Sequence, residues 1–279
     1  MKPASYGAKV CRNPDLALTK EWQEKNELGA YAASSILGTN TKPAHGLLVT
    51  PCQSPIHEAV LLANLDETLY IGERPFPLST HVYHDTVFPK GYESLEHFYR
   101  LPFPTWVFRL DGLALVKMVI LIHGENTVLI RYQLLSSYGD YVRLQIRPVT
   151  AFRSTSKLIR ENTSAIPKIH ASQQGVIELK SPNACPSLYL FHNAAVVDRT
   201  GIWLRRLKYA AEKSEGPQEE DLYSPCSFLY AFLKEDGVYL SVSTNSTRKF
   251  DPFLIGIKEK RRRRSVSPNQ PNRIDFGVT

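Results

Sequence analysis

The sequence has little that carries chemistry by itself. Its four cysteines, Cys11, Cys52, Cys185 and Cys226, stand far apart, with no two at short spacing. That excludes a zinc ribbon and a secreted disulfide framework, and it leaves free buried thiols as the expectation. No run approaches the roughly 20 apolar residues that span a bilayer, and Lys117 interrupts even the best stretch. The opening MKPASYGAKVCRNPDL has no apolar core of a signal peptide, so no membrane partner is expected and a cytoplasmic location is the default. A glycine-rich phosphate loop and a G-x-S-x-G elbow are both missing. His81, His84 and His97 lack the compact spacing of metal ligands, so neither a metal nor a cofactor is expected. Nor is there a repeat of fixed period, or a long amphipathic helix before residue 253.

The net charge of +7 is local rather than general. Between Lys258 and Arg264 six cations face one carboxylate, Glu259, which leaves only +2 for the remainder. A run of four arginines, Arg261–Arg264, would bind nucleic acid with a steep salt dependence. No aromatic is interleaved with it, so no base-stacking platform accompanies it and a nucleic-acid partner is not expected. A solvated or linker element is the ordinary role of such a run.

What is present is strand. With 43% hydrophobic residues the chain can bury a large core, and 279 residues suit one large all-β domain or two small ones. Thr105–Leu110 and Leu113–His123 flank Asp111-Gly112, the strongest short-range signal for a two-residue hairpin. Thr127–Leu135 and Val142–Arg147 follow, with apolar residues at every second position. Together these four runs read as a β-meander. In Leu113–His123 both faces are apolar, which predicts a strand covered on both sides, as in the middle of a thick sandwich.

Around this centre the chain divides into three parts. Residues 1–20 read as a poorly anchored arm, 21–252 as the body and 253–279 as a basic linker or tail, with a helix beginning in Phe253–Arg264. In the body, Gly46–Thr50, Ala59–Leu65, Val176–Leu179, Ser187–Asn193, Ala195–Asp198 and Trp203–Tyr209 read as strands. Tyr70–Glu73 reads as a tight turn, Pro75–Pro104 as a long loop and Thr150–Ser164 as a polar segment. Ala211–Asp221 is charged and broken by Gly216-Pro217. Phe228–Leu233 and Val238–Ser243, joined at Glu235-Asp236-Gly237, read as a last hairpin.

Several stretches then converge on one family. Glu21-Trp22 with LGAY, NTKPAHGLLV, LLANLDETL, LSTHVY, FPKGYESLEHF to PFPTW, HGENTVLIRY, RPVTAFRSTSKLIRENTSA and WLRRLKYAAEKSEGPQEEDLYSPCSF occur in this order over residues 21–245. In this they resemble the N-terminal domain of bacterial and archaeal type glycogen debranching enzymes, the amylo-α-1,6-glucosidase family. The resemblance implies an antiparallel β-supersandwich, two large packed sheets, that handles α-glucan: glycogen or branched maltooligosaccharides. It also implies that the hydrolytic carboxylates belong to a separate (α/α)₆ barrel, so the expectation is a support domain that does not cleave alone. The family usually has a glycine pair where this chain has Leu28-Gly29-Ala30, and Arg-Arg-Tyr where it has Lys42-Pro43-Ala44.

Hydrolysis needs two carboxyl groups flanking the bond. Asp66-Glu67 fails on a strand, because neighbouring side chains point to opposite faces. Glu161, Glu219, Glu220 and Asp221 read as solvated charge in polar loops, and no catalytic residue is assigned. Sugar recognition asks instead for flat apolar surface and planar polar groups. Trp22 and Trp203 are candidates for the first, with Trp106 reading as core. His45, Arg153, Glu161, Asn162 and Arg205, all in the family-like stretches, are candidates for the second. Arg153 and Glu161 have an alternative as a structural pair. His123, before a turn, offers acid/base chemistry of the mutarotase kind or simply ends a strand; an autonomous sugar epimerase is the alternative function.

Overall fold

The structure, a computed structural model, describes residues 5–135, 141–209, 219–232, 237–246 and 252–266. Its first half runs β1 (Ser5–Gly7), α1 (Ala8–Cys11), α2 (Pro14–Ala17), β2 (Glu21–Lys25), β3 (Tyr31–Ser35), β4 (Gly46–Pro51), β5 (Glu58–Ile71), β6 (Arg74–Pro77), β7 (Thr80–Val82) and β8 (Val87–Lys90). Then come β9 (Leu95–Tyr99), β10 (Thr105–Leu110), β11 (Leu113–Leu121), β12 (Thr127–Leu134), β13 (Val142–Ser154), β14 (Lys168–Gln173) and β15 (Val176–Lys180). The last are β16 (Leu188–His192), β17 (Val196–Asp198), β18 (Ile202–Lys208), β19 (Glu219–Ser224), β20 (Ser227–Ala231), β21 (Val238–Ser243) and α3 (Pro252–Val266).

Among the described residues these strands form two large antiparallel sheets, with β7 and β8 paired as a separate two-stranded sheet. The first has nine strands in the order β1-β9-β10-β11-β12-β21-β16-β15-β14. The second has ten, with β17-β20-β13-β5-β4-β3-β2 as its path and β6, β18 and β19 attached. The main core lies between them, where Leu113, Leu115, Val119 and Leu121 of β11 meet Leu61, Leu65 and Leu69 of β5. The Asp111-Gly112 turn closes the β10–β11 hairpin with φ of 47° and 81°, as a type I′ turn requires.

The meander holds for three runs and fails for the fourth. After β12 the chain crosses to the other sheet, where β13 pairs with β5 and β20. Period-2 alternation fixes which side chains point inward but carries no information on the partner strand. The same limit undoes the last hairpin. β20 lies in the second sheet beside β13 and β17, and β21 lies in the first between β12 and β16. Glu235-Asp236, Gly216-Pro217 and the linker beyond Val266 fall outside the described residues.

Three other readings need correction. The N-terminal residues are anchored: β1 pairs with β9, Tyr6 stacks on Phe98 and Cys11 and Ala17 are fully buried. Pro75–Pro104 contains β7, β8 and β9, too short and proline-broken to show a period. Thr150–Ser154 continues β13 rather than starting a loop.

The second apolar face of β11 is covered by a helix, not by a third sheet. Ile120 and Ile122 pack with Phe103 and Leu129, and Ile255 of α3 lies against them. The basic segment pins this helix down. Arg263 donates to Glu24 at 2.6 Å and to the Pro102 carbonyl at 2.7 Å, with its guanidinium 4.6 Å from the Phe103 ring centroid. Buried Glu259 takes Arg262 and Arg263 at i+3 and i+4. Two of the four arginines are therefore structural.

Lys117 is the one charge on the inward face of β11. It reaches across the sandwich to Glu67 of β5 at 2.7 Å, and Tyr132 of β12 donates to the same carboxylate. Its ammonium also sits 5.3 Å from the Trp106 ring centroid. Both charges are about 95% buried, so removing one partner strands the other in a low-dielectric interior. Lys117→Met is expected to cost about 3–5 kcal/mol, read as a lowered urea midpoint; a loss below about 1 kcal/mol would show the pair to be dispensable.

Candidate functional site

The outer face of the second sheet is where polar side chains gather. One half of it carries a small apolar cluster, Tyr31, Val49, Val60, Val149 and Ala151, capped by Leu204 of β18 and Leu222 of β19. The β18–β19 hairpin thus folds back over its own sheet. What holds it there is the acidic triplet that begins β19. Glu219, Glu220 and Asp221 are buried in a strand, not solvated in a loop.

Glu220 is fully buried, and Arg153 of β13 pairs with it through two nitrogens, one of them at 2.7 Å. The Tyr209 hydroxyl donates to the same carboxylate, as does the Ile159 amide at 3.1 Å. Burial pulls the Arg153 pKa down, but the charge and hydrogen bonds of Glu220 and the contacts with Tyr209 together outweigh it and raise the guanidinium above its ordinary value. Burial and the Glu220 carboxylate together push the Tyr209 phenol up, so it stays a donor. From this hub Arg153 reaches the Pro43 carbonyl at 3.0 Å. Asp221 accepts from the Glu161 amide at 2.9 Å and the Arg206 amide at 2.7 Å. One buried cluster therefore orders both the 42–45 loop and the 155–162 loop.

The candidate residues separate accordingly. Arg153 does not pair with Glu161: it is buried in the hub and positions others. Glu161 pairs instead with Arg205, through Nε and through Nη2 at 3.0 Å. That hydrogen bond and the carboxylate's charge raise the Arg205 pKa. Arg205 follows Trp203 by two positions on β18, at the bulge where pairing with β19 shifts between Leu204 and Leu207. Trp203 is half-buried, its ring 5.0 Å from that of Tyr223. Gly201 leaves room for this ring, since a Cβ there would sit 1.8 Å from the Tyr223 hydroxyl and push it aside. Asn162 is exposed, with its amide donating to the Arg160 carbonyl at 2.8 Å. Trp203, Arg205, Glu161 and Asn162 thus form one surface strip.

Trp22 and His45 do not join it. Trp22 is 2% exposed, donates to the Ser35 carbonyl at 3.1 Å and meets the Trp106 ring edge-on at 5.5 Å. It offers no ring face to a ligand. His45 is buried beneath the 42–45 loop, with the Thr41 amide donating to Nδ1 at 3.3 Å and Glu21 3.9 Å from Nε2. His123 is exposed at a turn, its Nδ1 against the Glu27 carboxylate, away from the other groups.

Beside the strip a cleft of about 520 Å³ opens between the β7–β8 hairpin and the end of β18, lined by Tyr83, His84, Asp85, Lys90 and Lys208 among others. His84 and Asp85 hydrogen-bond to each other, and Lys208 of the cleft ends β18, the strand that carries Trp203 and Arg205. The cleft and the strip are therefore neighbours. None of the cleft residues stands out in the sequence, because they come from two segments about 120 positions apart. The acidic triplet had one legible signal: it leads without a break into LYS, an apolar strand.

Two large antiparallel sheets packed face to face, with polar side chains gathered on the outside of one, define a β-supersandwich. The family model described as glycogen debranching enzyme N terminal matches residues 20–239, and the chain belongs to that family. The GalM/aldose epimerase homologue from C. elegans is similar in structure at 10% identity and a TM-score of 0.44, over 80% of this chain and 98% of that one. The comparison with curated proteins gave no match. Among the described residues no helix is long and apolar enough to cross a membrane.

The buried histidines make stability depend on pH. Burial lowers both His45 and His192 from 6.5 to about 4, with Glu21 opposing the shift at His45. Below pH 6.5 the unfolded chain takes up protons that these folded imidazoles refuse, so stability is complete above that pH and falls as it approaches 4. Each contributes roughly 2–3 kcal/mol to the loss. Urea unfolding at pH 7.0, 5.5 and 4.5 should show a falling midpoint that His192→Gln partly flattens; equal slopes in both proteins would contradict the assignment.

Proposed function

We propose that this is the glucan-recognition and support domain of a glycogen debranching enzyme, acting in cytoplasmic α-glucan breakdown. It binds branched α-glucan and leaves bond cleavage to an (α/α)₆ catalytic barrel. The observation that carries the reading is the strip on the outer face of the second sheet, in a chain of this family. Trp203 supplies a ring for the CH face of a sugar. Arg205, Glu161 and Asn162 supply planar donors and acceptors for hydroxyls, and the adjoining cleft gives a ring somewhere to sit.

The noncatalytic part is supported by how the buried carboxylates are used. Glu67, Glu220 and Glu259 are held by Lys117, Arg153 and the Arg262–Arg263 pair, so they serve as counter-ions. Buried and enclosed by their cations, these carboxylates have no face open to a substrate.

Calorimetric titration of the protein with maltoheptaose, run beside a glucose-release assay on a branched dextrin, tests both parts. Binding without glucose release is expected. Arg205→Ala and Trp203→Ala should each weaken binding about tenfold, the scale of one charged hydrogen bond or one stacked ring. Absence of binding, or release of glucose by the protein alone, overturns the reading.

A further inference from the structure

The half of the outer face that the β18–β19 hairpin leaves uncovered has its own pattern. β13 turns Val142, Leu144 and Ile146 inward and Arg143, Gln145 and Arg147 outward. Opposite them on β5 stand Tyr70, Thr68 and Asp66, in the register Arg143↔Tyr70, Gln145↔Thr68 and Arg147↔Asp66. Successive outward residues of a strand lie about 7 Å apart and facing strands about 5 Å. The result is a flat strip roughly 13 Å long, with an aromatic–guanidinium stack at one end.

In that stack the Arg143 guanidinium lies between two rings, 5.5 Å from the Tyr70 centroid and 5.3 Å from that of Tyr141. Its Nη2 donates to the Gly72 carbonyl and to Glu73, each at 2.9 Å. Its Nε is buried and has no acceptor among the described residues. A buried donor left unpaired costs free energy and calls for an acceptor. Tyr141 is 60% exposed, an unusual placing for a ring that no neighbouring strand covers. Gln145 joins the row, accepting weakly from Tyr70 at 3.5 Å.

The far end of the strip runs into the cleft. Asp66 pairs with His81 of β7 at 3.1 Å. Tyr83, which lines the cleft, has its phenol raised first by burial and then by the charge of Asp66. His81 leads directly into Val82 and Tyr83, both of which line the cleft, so the row runs from Tyr141 to the cleft mouth. Rings, amides and guanidinium groups alternate along it without a strong net charge, which suits a neutral polyhydroxyl chain better than a polyanion or an apolar peptide.

We propose that this uncovered face, centred on Tyr141, Arg143 and Tyr70, is an extended binding track for a linear stretch of α-glucan leading out of the cleft. The inference rests on the proposed glucan-binding function and assigns it a second contact region. It predicts an affinity that grows with chain length, because a short sugar fills the cleft alone whereas a longer one also lies on the strip.

The test compares maltotriose and maltoheptaose by titration calorimetry on the wild-type protein, Tyr141→Ala and Arg143→Lys. Tyr141→Ala changes a surface side chain, and Arg143→Lys keeps the charge but removes the planar fork, so both should unfold at the wild-type urea midpoint. The wild type should bind maltoheptaose at least about tenfold tighter than maltotriose. Both variants should lose that difference while keeping the maltotriose affinity. If they retain the wild-type preference for the longer sugar, the track is refuted and the function stands. If the wild type binds both sugars equally, the track is likewise refuted; if it binds neither, the function falls with it.

Discussion

The buried contact between Arg153 and Glu220 governs the part of the molecule that faces a ligand. A guanidinium and a carboxylate this deep are costly to desolvate, and they persist only where further hydrogen bonds complete them. Here those bonds come from Tyr209 and the Ile159 amide, and Arg153 spends another on the Pro43 carbonyl. The pair therefore acts less as a source of stability than as a fixed point. From it hang the loop carrying Glu161 and Asn162, the loop over His45, and the hairpin that presents Trp203 and Arg205.

A second buried pair does the corresponding work inside the sandwich. Lys117 and Glu67 join strands of different sheets, and their geometry sets how the two layers sit on each other. Hydrophobic burial drives the layers together but is indifferent to a slide of one residue. An ion pair with a phenol on the same carboxylate is not. On the other side of the nine-stranded sheet α3 packs over Ile120, Ile122 and Leu129, and its Arg263 is anchored to Glu24 and to the Pro102 carbonyl.

Much of the architecture was legible in the residues, and the failures share a cause. Alternation in Val142–Ile146 and the Asp111-Gly112 turn gave strands and a hairpin correctly, because both are local. Which sheet β13, β20 and β21 belong to depends on contacts between distant segments, and no window of sequence holds it. The site divides in the same way. Glu161 and Arg205 prove to be ion-paired at the surface, with Asn162 beside them and Trp203 on the same strand as Arg205, whereas Trp22 proves to be core. Composition records that a tryptophan is flanked by polar residues, but not that its strand turns the ring inward. The triplet Glu219–Asp221 misled for a related reason: three acids suggest solvent unless the buried arginine 67 residues away from Glu220 is in view. The departure from the family at Lys42-Pro43-Ala44 matters less than the side chains suggest, since Arg153 and Tyr31 hold that loop by its carbonyls.

If a buried hub holds the ligand-facing loops in place, loosening it must free those loops while the sandwich stays intact. Amide hydrogen exchange on the wild type and on Arg153→Met resolves this directly. The account predicts faster exchange confined to residues 40–46 and 155–166 in the variant, with unchanged protection in β11 and β12 and a loss of maltoheptaose binding. Uniformly faster exchange across both sheets, or unaltered exchange in the two loops, would contradict it.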